Sequence, residues 1–285
     1  MLYEMDSLSL AIYTTLSPAG MMAFVFMTIM SLADAASEKR TIHDYLFAIP
    51  FFLVLSGFIT STAHLGTPAN ALYVVTGTGR SPLSNEVIAV LVFLFLAGSY
   101  WMISVSRPLS PRVTKLWLSA ASLAAVVALG FTAIAYSIRT IPTWDTCYTP
   151  LALIVGAVGL GALLAGGTYH LAGSHSKDWG IALFTLYALS CLGVLGLMAL
   201  LREEMASISS FTMQAINLAP NYVETLGFYA IACIASVWLA FAVLLREGLM
   251  KRFRFTLVIT SIVIALLGAF LVRVLFYQIY MTIGL

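Results

Sequence analysis

Apolar runs of bilayer length recur from one end of this sequence to the other, and its few ionisable residues gather at the ends of those runs. A helix needs about 20 residues to cross a hydrocarbon core of roughly 30 Å. Runs of that length fall at residues 8 to 32, 44 to 63, 86 to 105, 114 to 136, 151 to 172, 180 to 201, 223 to 245 and 254 to 283. Helices this apolar on every side belong in lipid or deep inside a very large soluble protein. With 61% hydrophobic and only 9% charged residues, the sequence has too little polar surface to coat such a protein. The expected fold is therefore all-α: a polytopic membrane bundle of eight transmembrane helices forming one domain, residues 1–285.

The stretch Ala33-Asp34-Ala35 has the small residues of a signal-peptide cleavage site, but the segment before it carries Glu4 and Asp6 and no basic residue. The first run is also about twice the length of a signal core, so it is expected to stay as the first span. Lys and Arg mark cytoplasmic loops. Ten of them (Lys39, Arg40, Arg107, Arg112, Lys115, Lys177, Arg246, Lys251, Arg252 and Arg254) fall on one side, and four (Arg80, Arg139, Arg202 and Arg273) on the other. This places both termini on the outer, periplasmic face of a bacterial cytoplasmic membrane. The net charge of +2 is then a topology signal and gives no reason to expect nucleic acid as a partner. The longer connections, near 64 to 85, 137 to 150 and 202 to 222, share the outer side, as a docking surface would.

Two polar residues meet at that outer level. His64 closes the second span and Glu86 opens the third, and an imidazole beside a carboxylate at the edge of hydrocarbon suits hydrogen bonding to, and proton abstraction from, a lipid-soluble diol such as a quinol. The plain alternative gives each residue to its own helix end. Arg139, Asp145, Arg202, Glu203 and Glu204 lie at the same level. Arg273 lies 19 residues beyond Arg254, a rise of roughly 28 Å, which carries it to the outer end of the last span. There it can snorkel, pair with Glu86 or hold a quinone oxygen. Trp144, Tyr148, Tyr222, Tyr277 and Tyr280 supply aromatic-belt residues, one of them available to stack on a ring.

Haem is not expected, because His43, His170 and His175 belong at the cytoplasmic end and leave His64 alone outside. Cys147, Cys191 and Cys233 lack cluster spacing, so no iron–sulfur cluster and no other metal site is expected here. Glycines 156, 159, 161, 166 and 167 read as close helix packing. A transporter would place ionisable residues or broken helices at mid-bilayer, whereas here the middle of each span reads as apolar.

Four ordered runs carry a resemblance: His64-Leu65-Gly66-Thr67-Pro68; Ser81-Pro82-Leu83-Ser84-Asn85-Glu86; Ile141-Pro142-Thr143-Trp144 with Thr149-Pro150; and Arg273-Val274-Leu275-Phe276-Tyr277 running to Met281-Thr282-Ile283-Gly284. Together with eight spans, they resemble the DmsC-type membrane anchor of dimethyl sulfoxide reductase complexes, which belong to the molybdopterin oxidoreductases. The resemblance covers most of the sequence. It departs at Asn70, where a basic residue is expected, and at Tyr280, which stands in place of a histidine.

The resemblance implies an anchor that oxidises menaquinol in anaerobic electron transport and passes electrons to an iron–sulfur subunit feeding a molybdopterin catalytic subunit, both docked on the outer loops. In it His64 and Glu86 match the residues of quinol binding and oxidation; Asn85, Arg139, Trp144, Arg273 and Tyr277 are the further residues expected at the quinol site. The quinol is expected to enter between the second, third and eighth spans. A quinone-linked anchor of the polysulfide-reductase type fits the same hydropathy, and a small-solute transporter is the reading from another class.

Overall fold

The computed structural model describes residues 2–33, 44–62, 71–173, 177–209, 214–246 and 250–281, with side chains from residues 7 and 73 in the first and third segments. His64 lies outside these residues, as do His43, His175, Asn70 and the last residues of the fourth run. Among the described residues the regular structure is helical: α1 (Leu2–Ala33), α2 (Ala48–Thr62), α3 (Ala71–Thr76), α4 (Pro82–Ser106), α5 (Pro111–Ala135), α6 (Tyr148–Ala172), α7 (Lys177–Met205), α8 (Tyr222–Leu245) and α9 (Lys251–Gln278), with a 3₁₀ turn at Ala215–Leu218. Among the described residues eight helices are long and apolar enough to cross a membrane, α2 being counted with the turn before it as Asp44–Thr62, which makes this a multi-pass membrane protein.

Three boundaries differ from the sequence expectation for identifiable reasons. Proline is favoured at the first helical position, where its missing N–H costs nothing. Pro82 and Pro111 accordingly start α4 and α5 several residues earlier than the apolar runs begin. Glu86 therefore sits a full turn inside α4 and not at its mouth, and only 2% of it is exposed. At the other end α9 stops at Gln278, because the polypeptide turns there against the loop carrying Thr143 and Trp144.

Lipid is as apolar as leucine, so spans associate through close packing and interhelical hydrogen bonds more than through hydrophobic exclusion. The bundle follows that rule. Large apolar side chains such as Phe95, Leu116, Leu192 and Ile234 face outward, while small residues line the contacts within. Helix α1 is central, packing on α2, α5, α6 and α9. Consecutive spans pair as α1/α2, α4/α5, α6/α7 and α8/α9.

At the α1/α6 crossing a Cβ on Gly161 would lie 2.5 Å from Met22 Cβ and 2.7 Å from the Ala23 amide nitrogen, so only glycine lets the two backbones approach. At α1/α2 the Ser17 hydroxyl donates to the Val54 carbonyl at 3.2 Å. Towards the short-connection end of the bundle Phe24, Phe47, Phe93 and Tyr100 interlock edge to face, and Tyr100 donates to Asp44 at 2.6 Å.

Overpacking a close-packed contact costs about 1–3 kcal/mol. Gly161→Val is expected to lower the unfolding temperature in detergent or to prevent assembly. Gly196→Ala, whose Cβ meets nothing within 4 Å, is expected to leave stability within about 0.5 kcal/mol.

Candidate functional site

The long connections and the N-terminus of α4 meet at one end of the bundle, and a buried polar cluster lies just beneath them. Tyr13 of α1 donates its phenol proton to Glu86 Oε1 at 2.8 Å, and the two side chains are 4% and 2% exposed. Thr132 of α5, fully buried, lies against the same pair. Its hydroxyl has no hydrogen-bond partner of good geometry. The neighbouring residue of α1 faces the other way: Thr14 Oγ1 lies 3.4 Å from the Tyr277 hydroxyl of α9. Tyr277 also meets Tyr136 edge to face, with ring centroids 5.9 Å apart. Successive residues of one helix point about 100° apart. Tyr13 and Thr14 thus tie α1 to the α4/α5 pair on one side and to α9 on the other.

A buried carboxylate holding one phenol keeps a second oxygen for a further partner, since an ionised carboxylate offers about four acceptor positions. In a water-poor interior such a group is a strong acceptor for a hydroxyl proton. On the neighbouring face of α4 an open groove of about 390 Å³ runs between α4 and α5, lined by Thr78, Gly79, Asn85, Ile88, Val92 and Phe131 among others, while Glu86 itself points inward to Tyr13. Ala89, one turn from Glu86, and Phe131, next to Thr132, both line it. The groove is within the size range of pockets for small molecules.

The remaining residues expected at the site divide. Asn85 lines the groove, and its side-chain oxygen accepts from the Gly79 amide at 2.6 Å, holding a turn where Gly79 has φ +82°. Trp144 is committed to packing: it stacks on Phe276 with centroids 4.7 Å apart, meets Tyr277 and Tyr280 edge-on, and donates Nε1–H to the Phe276 carbonyl at 3.1 Å. Thr143 donates to the Ile279 carbonyl. The run Ile141-Pro142-Thr143-Trp144 therefore clamps the end of α9. Arg139 is exposed and apart from the cluster.

Arg273 makes no ion pair with Glu86. It lines a separate cavity with Thr14, Tyr187 and Tyr229, and α1 stands between it and the carboxylate.

Tyr13, Thr14, Thr132 and Tyr136 were missed in the sequence. Their signal was the polar triplet Tyr13-Thr14-Thr15 inside an otherwise apolar span. Nor is the mid-bundle uniformly apolar. The Tyr187 and Ser236 hydroxyls lie 2.6 Å apart between α7 and α8, and Ser261 donates to the Ser236 carbonyl at 2.7 Å.

Eight candidate spans among the described residues define a multi-pass membrane protein, and comparison with known proteins gives its family. Residues 1–279 match the family model described as the DMSO reductase anchor subunit (DmsC), and the protein belongs to that family. It is 29% identical over 281 residues to the YnfH polypeptide of the anaerobic dimethyl sulfoxide reductase of Escherichia coli (strain K12), an alignment covering 97% of this protein and 95% of the relative. It is 28% identical over 291 residues to the C subunit of the anaerobic dimethyl sulfoxide reductase of Haemophilus influenzae, covering 100% and 97%. The corresponding C subunit of the E. coli enzyme is 29% identical over 231 residues, covering 80% of this protein and 79% of that one.

Losing a donor to a buried polar group costs about 1–3 kcal/mol. Tyr13→Phe is expected to lower stability by that amount in thermal unfolding of the detergent-solubilised protein. Glu86→Gln keeps an oxygen for Tyr13 to donate to and is expected to stay close to wild type.

Proposed function

We propose that this protein is the quinol-oxidising anchor of a dimethyl sulfoxide reductase-like respiratory complex in the bacterial cytoplasmic membrane, with both termini and the long loops outside. Family membership implies a catalytic and an iron–sulfur partner subunit. On this reading the iron–sulfur subunit docks on the long loops and feeds a molybdopterin catalytic subunit. Electrons reach it from menaquinol bound at the same end of the bundle. The observation that carries the reading is the buried Glu86, held by Tyr13 and adjacent in α4 to Asn85, which lines a groove that opens between α4 and α5.

The groove offers an apolar seat between Ile88, Val92 and Phe131 for a ring and the start of its isoprenoid tail, with its polar end at Asn85 and Gly79. A quinol seated there presents a hydroxyl towards Glu86. The carboxylate accepts that proton as the electron pair leaves to the iron–sulfur partner, and Tyr13 keeps the carboxylate oriented. His64, in the loop preceding α3, is proposed to serve the second hydroxyl. Arg139 and Trp144 have no part in this seat, Trp144 because its ring and N–H are already engaged.

General-base contributions are typically 10²–10⁴-fold. In the purified complex, oxidation of a menaquinol analogue is expected to fall by about 100-fold or more in Glu86→Gln and in His64→Ala, with the partner subunits still bound. A Glu86→Gln complex that turns over at the wild-type rate removes Glu86 from the scheme.

A further inference from the structure

On the far side of α1 from Glu86, a cavity of about 40 Å³ lies between α1, α6, α7, α8 and α9. Its wall carries Thr14, Thr15, Pro18, Tyr187, Tyr229 and Arg273, an unusual set of polar groups for the interior of a membrane bundle. Among the described residues the Arg273 guanidinium has no acidic partner, and the titratable groups within its electrostatic reach are the phenols Tyr277, Tyr136 and Tyr229. A guanidinium is always protonated and presents five N–H donors, and leaving such donors unmet in a low-dielectric interior is costly.

Opposite Arg273, Thr14, Thr15 and Tyr187 supply acceptors, while Ser190, Cys191 and Tyr229 can donate as well as accept. Thr14 and Thr15 spend their hydroxyl protons on the Leu10 and Ala11 carbonyls, at 2.9 Å and 2.7 Å. Each therefore turns a bare oxygen to the cavity. Ser236 spends its proton on the Ala232 carbonyl, so Tyr187 must donate to Ser236 and likewise shows the cavity only lone pairs. Pro18 has no N–H, which leaves the Thr14 carbonyl without its helical donor one turn earlier. In membrane helices such freed carbonyls are re-satisfied by neighbouring side chains or ordered water.

Donors at Arg273, acceptors at Thr14, Thr15 and Tyr187, and the two-way groups Ser190 and Tyr229 match a molecule that both accepts and donates. A water needs about 10–15 Å³ of such space and two to four polar partners. We infer that this cavity is a buried water site holding about two or three molecules, which bridge the Arg273 guanidinium to Thr14, Thr15 and Tyr187. These waters let a charged arginine sit one turn from Tyr277 without a carboxylate partner. The inference does not depend on the quinol reading.

The sign of a cavity-filling substitution tests it. Gly156 lines the cavity, and a Cβ there meets only Val194 at 3.6 Å, so a larger side chain grows into the space. Filling a dry cavity stabilises, whereas displacing waters that satisfy a charge destabilises. In thermal unfolding of the purified complex, Gly156→Val is expected to lower Tm by about 5 °C and, in an Arg273→Met background, to leave Tm unchanged or raise it. A high-resolution cryo-EM map of the wild-type complex is expected to show ordered density against Arg273.

A rise in Tm for Gly156→Val alone, or a dry cavity in that map, overturns the inference. Should Gly156→Val fail to assemble, Thr15→Val removes one acceptor with little change of shape, and its map is expected to lose a water peak beside residue 15. Retention of every peak also overturns the inference.

Discussion

The close crossing of α1 and α6 is the contact on which the rest of the bundle depends. In lipid there is little free energy to gain from hiding one leucine against another, so two helices stay together only where their backbones come close enough for dense contact. Gly161 permits that approach against Met22 and Ala23. Because α1 also packs on α2, α5 and α9, its position fixes where every other pair of spans can sit. A first span that leads the polypeptide into the membrane thereby becomes the axis of the finished bundle.

That central placement explains why chemistry on either side of α1 is separate. Tyr13 reaches the carboxylate of α4, while Thr14 reaches the phenol of α9. A carboxylate and a guanidinium at about the same depth would ordinarily be read as an ion pair, and Glu86 with Arg273 invited that reading. The acid is met by a phenol, and the base lies beside a separate cavity that Thr14 and Tyr229 also line.

The number of spans, and most of their limits, were legible because hydropathy over 20 residues is a strong physical signal. The early starts of α4 and α5 were within reach of the same reading, since Pro82 and Pro111 carry the preference of proline for a first helical turn even though they lie outside the apolar runs. Glu86 stood out because a carboxylate beside an apolar run has few harmless explanations. Tyr13 and Thr14 did not stand out: hydroxyls cost little at any depth in a helix, where they can bond the carbonyl four residues back, as Thr15 does to Ala11. Which face they present depends on the neighbours of α1, and that is settled by packing across the sequence.

Two of the ordered runs that carried the family resemblance are, among the described residues, architectural. Ile141 to Trp144 and Arg273 to Tyr277 lie more than a hundred residues apart, yet they form one aromatic joint in which the indole stacks on Phe276 and hydrogen-bonds its carbonyl. This joint holds the last turn of α9, and with it Tyr277, against Thr14 of the central helix. In the run ending in Asn85-Glu86, Asn85 fastens the Gly79 turn and Glu86 points inward to Tyr13. A motif can thus mark a site by building its frame. The residue proposed for the chemistry is Glu86, whose carboxylate that frame holds one turn inside α4.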